Sequence, residues 1–261
     1  MKRTFILFCL VKILYTAPFN DVELNPKYGN LFEGDIAGVD IHRGIAQIPT
    51  KNYAKWPNGI VPYIIDPLTY NSTELDTILA GMKIIEDQTR VNGKNCITFV
   101  PRTSEKTFLR IFNGQGCWSY VGEQQKVGAQ QLSLQKPSAT VRGSCIYKST
   151  VAHELIHALG FWHEQSRPDR DNYVKINWQN IAPDNQYNFD KYSTEYTDDL
   201  GFPYDYQSVM HYDSHAFSIN GKPTIEVLQS GVELVSVQDD LKRESISDID
   251  AGELKKYYGC I

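Results

Sequence analysis

The chain has 261 residues, enough for one domain with a sizeable core and some trimmed segments. With 41% hydrophobic and 12% aromatic residues, no internal repeat and no low-complexity tract, it reads as globular. A formal charge of −5 without any Lys/Arg-rich stripe argues against nucleic acid as a partner.

Residues 1–17 read as a secretory signal. Met1-Lys2-Arg3 is a basic start, followed by apolar runs from Thr4 to Val11 and from Ile13 to Ala17. These runs fall short of the roughly 20 apolar residues a spanning helix needs. No other segment is apolar enough to cross a bilayer, so no stable membrane association is expected. Cys9 lies within the signal. Cys96, Cys117, Cys145 and Cys260 remain, an even set that a secreted domain would pair in one of three ways. Asn71-Ser72-Thr73 is a glycosylation acceptor triplet for an exported chain, which makes Asn71 the candidate site.

From Pro18 to Thr50 the chain lacks periodicity, and loosely spaced glycines suggest extended or loop structure apart from the main domain. Trp56-Pro57-Asn58-Gly59 is a turn, and Ile60 to Ile65 reads as a strand, with Pro62 favouring an edge or a strand start. Leu75, Ile78, Leu79, Met82 and Ile85 follow helical spacing, with Ser72 or Thr73 as the cap. Short strands are expected at Ile97–Val100, Phe108–Phe112 and Gln130–Leu134, giving an α+β layout with a mixed sheet. A second helix starts near Ser149 or Thr150 and is stopped by Gly160. Asn177 to Gly221 reads as irregular structure. A last short helix opens on a capping-box-like Ser247 and Asp250, and Gly259 ends it. Cys260 then ties down a terminus that would otherwise fray.

Three of the six histidines, His153, His157 and His163, fall in one short window. Positions i and i+4 share a helix face about 5–6 Å apart, so two imidazoles can meet one metal ion. Gly160 can turn the chain so that His163 reaches the same ion. Three neutral nitrogens with an open fourth position describe a catalytic zinc site, whereas structural sites are closed by four protein ligands. Glu154, about 100° around the helix from His153, is poorly placed as a ligand but can take a proton from a water at the open position. It is the candidate general base and the proton carrier to a leaving amine. A bare His-Glu-x-x-His also arises on ordinary amphipathic helices; Gly160 and His163 at fixed spacing make the motif far more specific.

The stretch His153-Glu154-Leu155-Ile156-His157-Ala158-Leu159-Gly160-Phe161-Trp162-His163-Glu164 resembles the metzincins and, within them, the astacin family. Ser208-Val209-Met210-His211-Tyr212 is similar to that family's Met-turn. Gly116 to Gly122, Trp56 to Gly59 and Asn220 to Ile225 also resemble astacin segments. The likeness runs from about residue 50 to the C-terminus, without a CUB-like or EGF-like extension after Cys260, as in a minimal single-domain form.

The resemblance implies a metzincin-type fold: an N-terminal twisted mixed sheet with helices, an active-site helix at a cleft, and an irregular C-terminal subdomain ending in a short helix. It implies a zinc-dependent endopeptidase holding one Zn2+ per chain on His153, His157 and His163, with Glu154 and Tyr212 catalytic. Tyr212 would bind zinc at rest, then swing away to bond the oxyanion. Met210 would form an apolar floor. Cys96 would pair with Cys260 and Cys117 with Cys145. Cys117 to Gly122 would rim the cleft, where an extended substrate adds as a strand.

Phe32-Glu33-Gly34-Asp35 is similar to the family's propeptide motif, with Asp35 on the metal as a latency switch. The implied division is signal 1–17, propeptide 18–46 and peptidase domain 47–261, the second boundary lying between 43 and 51. Arg43-Gly44 suits a trypsin-like activating protease, while alignment to Trp56 points nearer Gln47. After the cut, Glu164 would pair with the new N-terminal ammonium. A secreted monomer acting on proteins or peptides is expected. The competing reading, a binding protein that lost catalysis, is disfavoured because the ligands, Glu154 and Tyr212 are all present; a serine hydrolase is disfavoured for want of a Gly-x-Ser-x-Gly elbow.

Overall fold

A computed structural model describes residues 31–39, 54–124, 126–137, 143–194, 197–237, 239 and 244–261. The stretch read as a signal, with Cys9, the segment around Arg43 and Gln47, and most of 18–50 lie outside the described residues. Among the described residues, strand β1 is Ile36–Ala37, β2 Ile60–Ile65, helix α1 Ser72–Gln88, β3 Thr98–Pro101, β4 Thr107–Phe112, β5 Cys117–Tyr120 and β6 Gly128–Leu134. Helix α2 spans Lys148–Leu159, β7 Val174–Ile176, β8 Ile225–Val227 and α3 Asp248–Tyr257.

Six strands form one sheet in the order β1-β5-β6-β4-β2-β3. Only β5 with β6 is antiparallel; the other neighbours run parallel, so the sheet is mixed as expected. Pro62 departs from expectation: β2 is an interior strand between β4 and β3. The proline is tolerated because the β4 ladder begins only at Tyr63, one residue later. The two-residue β1 arises inside the segment read as loop, pairing Ile36 with Ser119 along the free edge of β5.

Helix α1 is capped by Asn71, not by Ser72 or Thr73. Asn71 Oδ1 accepts from Glu74 N at 3.0 Å while Glu74 Oε2 accepts from Asn71 N at 2.8 Å, a reciprocal capping box. Helix α2 begins before the expected caps. Ser149 and Thr150 sit inside its first turn, and their hydroxyls donate to the Val237 carbonyl instead. Its residues from Ser149 to Leu159 are all buried, between the sheet and α1. Gly81 of α1 permits this approach, since a Cβ there would lie 2.6 Å from Val151 Cγ1. The last carbonyls of α2 have no partner within the helix. Trp56 Nε1 donates to Ala158 O at 2.8 Å, Tyr258 Oη to Leu159 O at 3.0 Å and Gly122 N to His157 O at 2.9 Å.

Beyond α2 the chain is mostly short 3-10 turns over a second core of Val174, Ile176, Ile181, Phe189, Tyr204 and Ile225. Helix α3 has the expected box, Asp250 N donating to Ser247 Oγ at 2.8 Å. Cys96 bonds to Cys260, tying the end of α3 to the sheet, and Cys117 bonds to Cys145.

Candidate metal centre

Helix α2 carries Val151, Ala152, Leu155, Ile156, Ala158 and Leu159 on one side, an apolar face that draws it into the core. His153, Glu154 and His157 go inside with it, and buried ionisable groups must find partners. His153 Nδ1 lies 2.7 Å from the Val209 carbonyl and His157 Nδ1 lies 2.7 Å from the Phe161 carbonyl. Gly160 closes the helix at φ 115°, in the left-handed region. The chain then reverses and brings in His163, whose Nδ1 is 2.7 Å from Glu33 Oε2.

All three Nδ1 partners are acceptors only, so each Nδ1 carries the proton and each Nε2 of a neutral ring presents a lone pair. The three Nε2 atoms converge: His157 and His163 lie 3.1 and 3.3 Å from His153. Asp35 supplies the fourth corner, with Oδ2 at 3.2 Å from His153 Nε2 and 3.3 Å from His163 Nε2, and Oδ1 at 3.6 Å from His157 Nε2. The four ligand atoms all lie within 4.8 Å of one another. A tetrahedron with bonds near 2.05 Å has edges of about 3.3 Å, so this spacing suits zinc with an N3O donor set.

Without a cation these groups fit poorly. Burial lowers His157 to about 4; it also opposes charge on His163, but the Asp35 and Glu33 carboxylates raise that ring to about 10. His153 Nε2 and His157 Nε2 lie only 3.1 Å apart. Asp35 Oδ1 is also buried with no hydrogen-bond partner. Burial opposes the Asp35 charge, yet His163 and its neighbours hold that carboxyl well below its usual range. A dication answers each of these mismatches, and the donor set fits it.

Glu154 is 1% exposed and its Oε2 has no hydrogen-bond partner. Burial first, then the Asp35 charge, push its pKa well above the usual carboxylate value. The Tyr212 ring lies against His163 with centroids 4.7 Å apart, tilted by 56°. Its hydroxyl donates to the Glu33 carbonyl. Met210 is buried in the main core, and its carbonyl accepts from Glu164 N at 3.0 Å.

Glu164 lies at a cavity of about 690 Å³ shared with His163, Met210, Arg167 and Glu253. Its Oε1 accepts from Asp205 N at 2.7 Å and meets Arg167 Nη1 at 3.3 Å. Asn71 is exposed at the start of α1, far in sequence from the cluster.

Several contributors carried no signal of their own in the sequence. Glu33 stood in the quoted four-residue motif, yet a glutamate beside a glycine reads as a solvated turn. Ser166, whose hydroxyl donates to Glu33 Oε1, and the Val209 and Phe161 carbonyls are invisible to motif reading. Asp250 was legible as a helix cap, but it also accepts from Ser208 Oγ at 2.6 Å and Val209 N at 3.0 Å, fixing the carbonyl that orients His153.

A buried helix with two inward histidines, a third after a glycine reversal and a buried glutamate with one unpartnered oxygen beside them define a metallopeptidase centre of the zincin class. Comparison with known proteins narrows the class. Residues 49–259 match the model of the peptidase family described as Astacin. Human Meprin A subunit beta is 40% identical over 231 residues, covering 88% of this chain and 30% of the meprin subunit. Zinc metalloproteinase nas-13 of Caenorhabditis elegans is 38% identical over 238 residues, 91% of this chain and 48% of its own length. The solved structure of High choriolytic enzyme 1, a hatching enzyme zinc-protease from Oryzias latipes, superposes with a TM-score of 0.65 at 38% identity, over 80% of this chain and 94% of that one. The chain belongs to the astacin family. It spans about a third to a half of the length of these two sequence relatives.

Proposed function

We propose that the chain is a secreted zinc endopeptidase that its own residues 31–39 keep latent. The observation that carries this reading is the convergence of three imidazole lone pairs and one Asp35 oxygen on a single point, with Glu154, its Oε2 unpartnered, beside it. His153, His157 and His163 would hold the zinc, with Asp35 as fourth ligand in the latent chain. Bound there, zinc supplies a Lewis acid that makes water reactive near neutral pH.

Removal of the segment frees the edge of β5. Ser119 N, now donating to the Asp35 carbonyl at 2.9 Å, becomes available to the backbone of an extended peptide. Glu154 takes a proton from the attacking water as the oxygen bonds to the scissile carbon. It returns that proton to the amine nitrogen as the C–N bond breaks. Its burial, with Oε2 unpartnered, supports this two-way role. Tyr212, released from the Glu33 carbonyl, donates to the developing oxyanion. Met210 forms part of the apolar packing beneath the histidines.

The cavity at Glu164 receives the new N-terminal ammonium, in a lining that carries Glu164, Asp198, Asp199 and Glu253 against Lys55, Arg167 and Lys256. The two disulfides and the exposed Asn71 acceptor support an extracellular setting. Among the described residues no helix is long and apolar enough to cross a membrane. Substrates are proteins or peptides, the activator is a trypsin-like protease cutting between 43 and 51, and the protein is a monomer.

The test is casein hydrolysis by the full secreted chain before and after trypsin. Activity is expected only after cleavage and is abolished by a chelator, while Asp35→Ala shows activity before cleavage. An Asp35→Ala chain as silent as the wild type would refute the latency switch. A matured wild type inactive with zinc present would favour a binding protein.

A further inference from the structure

Each ligand histidine gives its Nδ1 proton to an oxygen, but the three oxygens differ in kind. Val209 O and Phe161 O are backbone carbonyls of the domain that carries the helix. The third is the Glu33 carboxylate, on the same short segment as Asp35. Its side chain is wholly buried, with Oε2 on His163 Nδ1 at 2.7 Å and Oε1 accepting from Ser166 Oγ at 2.5 Å. The seat is built on both sides. Phe32 lies among the rings of Trp162, Tyr187 and Tyr192, and Gly34 (φ 84°) lies so close to Phe217 that a Cβ would approach Cζ to 2.9 Å.

Docking alone does not call for a carboxylate here. A buried anion is costly unless a positive charge answers it. Two donors, one of them a ring ligating a dication, supply that answer. A carboxylate behind a ligating histidine makes the ring a more basic, better oriented ligand. Glu33 thus acts on the metal through His163, while Asp35 acts on it directly.

We propose that Glu33 is a detachable outer partner of the metal centre: the latent chain grips its zinc through His163 more tightly than the matured chain does. Glu33 and Asp35 leave together, so maturation withdraws two carboxylates from the site and trades grip for electrophilicity. This inference rests on the zinc-centre reading above. Glu33 is a positioning residue and takes no part in the chemistry on substrate.

The experiment measures zinc transfer to excess chromophoric chelator from the latent full chain as wild type, Glu33→Gln and Glu33→Ala, then from each after trypsin maturation. Latent Glu33→Ala is expected to hold zinc about 10- to 100-fold more weakly than latent wild type. Glu33→Gln, which keeps an acceptor but not the charge, falls between them. After maturation the three are the same molecule and the difference vanishes. Should Glu33→Ala fail to fold, a peptide of residues 31–39 is added at saturation to matured wild type. The natural peptide slows zinc loss more than its Glu33→Ala version, although both carry Asp35. Equal zinc retention in latent wild type and Glu33→Ala, or equal protection by the two peptides, overturns the inference while leaving the zinc centre standing. Failure of every form to take up zinc overturns both.

Discussion

Glu154 occupies a position where a carboxylate is hard to keep. It is buried, one oxygen is unpartnered, and burial and Asp35 both favour its neutral form. A side chain held in such surroundings is suited to exchanging a proton and poorly suited to holding the fold. Tyr212 is buried as well: in the latent chain burial, then Glu33 and Asp35, push its hydroxyl well above the ordinary phenol range, so there it acts as a hydrogen-bond donor. Tyr212→Phe is expected to lower kcat of the matured enzyme by about 10²-fold with KM little changed. A variant that alters KM alone would assign Tyr212 to substrate binding.

At the scale of elements, helix α2 and the reversal after it assemble the site. Gly160 is held at φ 115°, and a Cβ there would lie 3.1 Å from Tyr257 Cε1. Gly160→Ala is expected to cost about 1–3 kcal/mol of stability and to weaken zinc binding by displacing His163. Denaturant unfolding and zinc titration check it; wild-type values in both would show that the reversal tolerates a side chain. This turn, the i, i+4 histidine pair and the Ser247 box were legible in the sequence because each depends on neighbouring residues. The caps of α1 and α2 were less so. Asn71, read in the sequence only as a glycosylation acceptor, caps α1 in place of Ser72 or Thr73, and the Ser149 and Thr150 hydroxyls turn to Val237, a partner far along the chain. Strand β1 exists only because β5 presents a free edge, and strands β7 and β8 pair across a long irregular stretch. Glu33 was opaque for the same reason, since its partners lie more than a hundred residues away.

For the molecule as a whole, the Cys96–Cys260 bond closes a separation of 164 residues and anchors α3, whose Asp250 braces the Ser208–Val209 turn. Cys260→Ser is expected to destabilise the chain by about 2–5 kcal/mol, read as a lower Tm. An unchanged Tm would show that α3 needs no tether. The cavity beside Glu164 makes a separate prediction. Burial, then Glu164 and Asp250, lift Glu253 to about 9 from an ordinary 4.5, and burial lifts Glu164 to about 8 against the pull of Arg167. Carboxyls whose folded pKa exceeds the unfolded value bind protons more tightly when folded. Their effect is to lower stability as pH rises from about 4.5 towards 9. Glu253→Gln is neutral throughout and is expected to flatten the decline in Tm of the latent chain across that window. An equally steep decline in the variant would exclude Glu253 as its cause.

The most direct test of the central claim measures zinc content and casein hydrolysis on the same samples of matured wild type and Glu154→Ala. Three histidines holding the metal and a separate glutamate moving the proton predict one zinc per chain in both, with activity reduced by about 10²–10⁴-fold in the variant. Full activity in Glu154→Ala, or loss of its zinc, would contradict the division of labour between the ligands and the base.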